Sequence, residues 1–154
     1  MNSLDPSHDD LTDLLSEIRL LFAGTQILVA FLIILPFNSG YARVSSFDNA
    51  VYVVTFVCAM ISLLMFIAPA AQHRLMRPLR DRAAFKRSVN RQVIIGLIPL
   101  SLAITLATFF VISNVVNNLA AGIVTSIVGL AIALLWWMIP MRNRRVARSS
   151  PGLS

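Results

Sequence analysis

The chain has 154 residues, of which 57% are hydrophobic and only 13% charged, against about 45–50% and about 25% in an ordinary soluble domain. With a mean hydropathy of +0.77, it carries too few charges to clothe a soluble fold of this size. The formal net charge of +6 sits beside apolar blocks, where it reads as an orientation signal on a membrane and argues against a nucleic-acid partner.

The N-terminus carries Asp5, Asp9, Asp10 and Asp13, the opposite of the basic start of a signal peptide. Leu11, Leu14, Leu15, Ile18 and Phe22 recur at three- and four-residue steps, one face of a helix. Ser7 followed by Asp10 is a weak capping signal. The pattern predicts a short amphipathic helix from about Asp9 that runs into the first apolar block. Its polar face, Asp9, Asp13 and Glu17, is acidic, whereas a helix held on anionic lipid by electrostatics carries Lys and Arg.

Crossing about 30 Å of hydrocarbon takes roughly 20 helical residues. Four blocks qualify, at about residues 20–37, 50–71, 93–113 and 119–140, and none contains Asp, Glu, Lys, Arg or His. Inside lipid every backbone polar group must be satisfied, and the alternating short strands of a barrel are absent, so the blocks read as helices. Pro36, Pro69 and Pro140 fall near span ends. Pro99 lies inside the third span and predicts a bend near 95–97, which serves packing or a hinge. Cys58, the one cysteine, lies in the second block as a small hydrophobe.

The connections assign sides. Arg19 precedes the first span, seven bases lie in residues 72–92, and Arg142, Arg144, Arg145 and Arg148 follow the last span. With four spans these share one side, twelve bases against Arg43 alone on the other, so both termini and the long connection are expected in the cytoplasm. The location expected is the inner, or plasma, membrane. Tyr41 and Tyr52 fit the outer interface, and Trp136 and Trp137 the inner one. Residues 5–19 carry a formal charge of −4 and residues 72–92 carry +6. Either the two segments pack together and leave the surplus for anionic headgroups or an acidic partner, or both are solvated independently. Residues 82–92 lack Pro and Gly and could extend the third helix, and the basic tail at 141–154 is expected to be disordered.

Chemistry-bearing patterns are scarce. His8 and His73 stand in no metal-binding spacing, and no nucleophile–base arrangement, phosphate loop or paired carboxylate is evident. The expectation is no enzyme, no cofactor and no metal. Within the spans, Thr and Ser can bond their own helix backbone. Gln26 carries a full amide into hydrocarbon and is expected to face another helix, as a structural bond or a substrate contact. In the fourth span, Ala121 and Thr125, then Gly122 and Ser126, form small-xxx-small pairs, and Gly129 continues the first.

Several short stretches carry a family resemblance: Glu17-Ile18-Arg19, Gly24-Thr25-Gln26, Leu35-Pro36-Phe37, then Ile67-Ala68-Pro69-Ala70-Ala71-Gln72-His73-Arg74, and Asn90-Arg91. Over roughly residues 11–140 the chain resembles the DUF6328 family of small four-helix bacterial membrane proteins, common in actinobacteria, whose function is unknown. Members are sometimes described as sodium:proton antiporters, although neither the family pattern nor this sequence places an ion-binding acid in a span. The resemblance draws attention to Glu17, Arg19, His73, Arg74, Asn90 and Arg91 at the cytoplasmic ends of three helices. With Gln26 these form a candidate structural or interaction cluster, in which Glu17 is expected to pair with Arg74 or Arg91 unless the bases snorkel to headgroups.

The sequence thus predicts an all-α integral membrane four-helix bundle, with residues 1–140 as a single four-span domain. The role expected is an accessory or scaffolding subunit that contacts membrane lipids and forms a homo-oligomer or part of a larger complex. The alternative is a small transporter or ion-conducting oligomer such as a cation:proton antiporter.

Overall fold

The computed structural model describes residues 6–38, 41, 45–75 and 82–139, with side chains for all of these except 6–15, 73, 75, 82–84 and 86. The tail at 141–154, expected to be disordered, lies outside the described residues, as does Pro140. Four long helices follow one another: α1 (Pro6–Ile34), α2 (Ser46–Leu75), α3 (Arg82–Val115) and α4 (Asn118–Ile132). Among the described residues there is no strand.

Each helix contains a stretch long and apolar enough to cross a membrane: Ser16–Phe37, Ser46–Gln72, Arg87–Val115 and Asn118–Met138. The chain is therefore an all-α, multi-pass membrane protein. Two expectations about helix extent hold. The amphipathic N-terminal segment is continuous with the first span, and residues 82–92 do extend the third helix.

The helix ends follow local chemistry. A helix leaves its last four carbonyls without backbone partners. At the end of α1, Pro36 sits in a tight single turn, Leu35–Phe37, and the Tyr52 hydroxyl of α2 donates to the Leu32 carbonyl at 3.0 Å. Ahead of α2, the Ser45 hydroxyl accepts the Asp48 amide at 3.1 Å and donates to the Asp48 carboxylate at 2.7 Å, a capping exchange within one turn. Asn117 caps α4 in an extended conformation, its side-chain oxygen accepting the Ala120 amide at 2.8 Å. Beyond Ile132 the last helix widens into a π turn, Ala133–Met138, which carries both tryptophans.

The described chain forms two compact units, Met1–Ala103 and Ile104–Ser154. In the first, α1, α2 and the first part of α3 converge. Val29 and Leu32 of α1, Ala59 of α2 and Ala103 of α3 form one buried cluster, flanked by Tyr52, Phe56 and Leu63. A second cluster joins Ile18 of α1 to Phe85 and Val89 of α3. The acidic N-terminal helix and the basic segment that precedes the third span thus pack together through apolar side chains.

In the second unit, α3 and α4 are joined through Val116 and Asn117. Ala121 is fully buried there, and Gly129 lies 3.6 Å from the Thr105 methyl when its missing Cβ is built. The small residues Ala121, Thr125 and Gly129 therefore belong to the α4 surface that approaches α3, whereas Gly122 and Ser126 are exposed.

Candidate functional site

The feature with the most specific construction is the contact seam of α2. Tyr52, Thr55, Ala59, Ser62, Phe66 and Pro69 follow at alternating steps of three and four, and all but Tyr52 are buried. That spacing averages 3.5 residues, the period of helices packed in a left-handed supercoil. The middle of the seam, Thr55, Ala59 and Ser62, is built from small or weakly polar side chains. In lipid there is no hydrophobic gain from helix association, so close backbone approach and interhelical hydrogen bonds carry the contact.

Ser62 supplies such a bond. Its hydroxyl is fully buried and donates across to the Gly96 carbonyl of α3 at 2.9 Å. This approach requires a glycine. A Cβ at position 96 would lie 2.8 Å from Phe66 Cε1, closer than carbon atoms tolerate, and 3.0 Å from Met65 Cβ, a tight contact. Phe66 is 1% exposed, so its ring has nowhere to retreat.

The other two buried hydroxyls of this unit are satisfied within their own helices. Thr25 donates to the Leu21 carbonyl at 2.8 Å and Thr55 to the Val51 carbonyl at 2.7 Å. Thr25, Thr55 and Ser62 are the buried polar residues among the described ones, and each donates a hydrogen bond to a backbone carbonyl.

An aromatic group closes one end of the seam. Tyr41 meets Tyr52 edge to face at 5.4 Å, Tyr52 stacks near Phe56 at 6.3 Å, and the Tyr41 hydroxyl donates to the Asn49 side-chain oxygen. Besides the interfacial position expected of them, the two tyrosines tie α1, α2 and their connection together. Burial, and next the nearby Tyr52, push the Tyr41 phenol above its ordinary value of 10.0.

The residues expected to form a cluster are placed differently from one another. Glu17, Arg19, Arg74, Asn90 and Arg91 are all exposed, and the His73 side chain lies outside those described. Among the described residues no ion pair joins Glu17 to Arg74 or Arg91. The reason is helix rotation. Ile18 and Val89 turn inward to form their apolar cluster, and this points the neighbouring charges outward. Gln26 is also exposed, so among the described residues it is not buried against another helix of this chain. Its neighbour Thr25 takes the inward position and rotates the amide away.

The amide that does enter a contact was assigned by sequence to a connection. Gln92 lies on the inward side of α3, one turn before Gly96, and its side-chain oxygen is buried without a hydrogen-bond partner among the described residues. The Thr125 hydroxyl of α4 is in the same condition. Among the described residues no three His, Cys, Asp or Glu side chains gather at metal-binding distance. Cys58 is a free thiol, half-buried beside the Ala59 cluster.

No curated protein and no solved structure is detectably similar to this chain. A family does match, over residues 8–140, which covers all four spans. The chain belongs to the DUF6328 family, a family of unknown function.

Proposed function

We propose that the protein is an accessory or scaffolding subunit of the plasma membrane, which packs against itself or a larger membrane complex and performs no catalysis. The observation that supports this reading is that the buried hydroxyls of the three-helix unit are paired internally. Among the described residues the buried hydroxyls, Thr25, Thr55 and Ser62, all direct their one donor to a backbone carbonyl, which leaves the Gln92 side-chain oxygen as the buried polar atom of this unit without a partner. A transporter needs polar groups that can exchange water or ions along a route through the spans, usually including a buried ionisable side chain. Both termini lie in the cytoplasm in this reading, which the twelve-to-one division of bases supports. Anionic headgroups then meet the basic side.

Mild extraction followed by native mass measurement tests the proposal. A scaffolding subunit should leave the membrane as a defined oligomer or with a stoichiometric protein partner. A lone chain at every detergent concentration, with ion flux after reconstitution, would contradict it and favour the transporter.

A further inference from the structure

Two exposed arginines, Arg87 and Arg91, open the third span, and three exposed apolar residues, Ile95, Ile98 and Leu102, follow them. Helix residues turn by about 100° each, so these five fall within about 80° of one another. Phe85, Val89, Gly96 and Leu100 are buried on the opposite side. The exposed face is therefore a single stripe, basic at its membrane-entry end and apolar below.

Its dimensions match a lipid. The two arginines are four residues apart, about 6 Å along the axis, so both guanidinium groups can reach one phosphate. From Arg91 to Leu102 the stripe runs about 16 Å, close to the depth of one leaflet of a hydrocarbon core about 30 Å thick. Among the described residues neither arginine has an ion-pair partner.

We propose that this face of α3 docks one anionic phospholipid, with its phosphate held by Arg87 and Arg91 and an acyl chain laid along Ile95, Ile98 and Leu102. The site depends on α3 crossing the membrane and not on the scaffolding role. Its charge recognises a phosphate diester without a compensating ammonium, and its apolar stripe excludes a free phosphate as the occupant.

The test uses the full chain, delipidated in mild detergent and titrated with phosphatidylglycerol or phosphatidylcholine of identical acyl chains, with bound lipid counted by native mass spectrometry. Phosphatidylglycerol should be retained preferentially. Arg87→Gln and Arg91→Gln should each lower that preference about fivefold, and the double variant about twenty-fivefold. Arg74→Gln, on α2, should leave it unchanged, and soluble glycerol phosphate should not compete. Equal retention of the two lipids, a preference that survives loss of both arginines, an equal effect of Arg74→Gln, or competition by glycerol phosphate overturns the site. If the double variant unfolds, salt decides. The preference of the unaltered protein should fall as ionic strength rises, and a salt-independent preference overturns the proposal.

Discussion

Replacing Gly96 with alanine adds one methyl group where α2 and α3 pack closely. That Cβ would sit 2.8 Å from Phe66 Cε1, 3.0 Å from Met65 Cβ and 3.3 Å from Phe66 Cδ1. The Met65 Cβ is fixed to its backbone and Phe66 is buried, so the helices must separate. Separation also stretches the 2.9 Å bond from Ser62 to the Gly96 carbonyl. Overpacking costs about 1–3 kcal/mol, and an interhelical hydrogen bond in a membrane protein averages about 0.6 kcal/mol. Alanine returns about 1 kcal/mol through helix propensity, leaving a net loss of about 0.5–2.5 kcal/mol. Gly122→Ala is the internal control, because nothing lies within 4 Å of its added Cβ. It gains the propensity without the clash, so the two variants should differ by about 1.5–3.5 kcal/mol. Unfolding in dodecyl sulfate mixed micelles, followed by circular dichroism, measures both. A smaller ring, Phe66→Leu, should partly rescue Gly96→Ala. Equal stability of the Gly96 and Gly122 variants would refute the close approach.

Further outcomes follow from individual bonds. Ser62→Ala should lower stability by about 0.6 kcal/mol, up to about 1.7, in the same unfolding assay, and its effect should be smaller in the Gly96→Ala background, where the bond is already stretched. Asn117→Ala removes the cap of α4 and should cost about 1 kcal/mol, visible as faster amide hydrogen exchange in the first turn after Asn117. The Tyr41 phenol should ionise above 10.0, so its favourable contribution is intact below that pH and is lost as pH rises through the higher folded value. Difference spectra between the protein and Tyr41→Phe should show that late titration.

The sequence made the spans plain because length and hydropathy are counted per block, and the four expected blocks overlap the four observed. The contacts between them were harder to read. In a soluble helix the buried face is the apolar one, but here every face of α2 is apolar and that contrast disappears. The informative signal is the recurrence of small residues, Thr55, Ala59 and Ser62 at steps of four and three. The small pairs of α4 drew attention by sequence, yet only the Ala121–Thr125 set faces α3. Gln26 and Gln92 show the same difficulty. An amide's sequence position inside a span does not give its rotation, and Thr25 and Gly96 fix those rotations through packing. Glu17 joins neither Arg74 nor Arg91 among the described residues for a related reason, since Ile18 takes the inward position.

Whether the interior of the three-helix unit is dry separates a packing subunit from a conduit. Cysteine is close in size to the three buried hydroxyl residues, so Thr25→Cys, Thr55→Cys and Ser62→Cys can each be introduced singly after Cys58→Ala. Membrane-impermeant thiol reagents applied from either side should leave all three unmodified, while the exposed controls Ser46→Cys and Ser88→Cys react, the first from outside and the second from the cytoplasm. Modification of Thr25→Cys, Thr55→Cys and Ser62→Cys in the folded protein would reveal a water-filled path through the seam and contradict the scaffolding role.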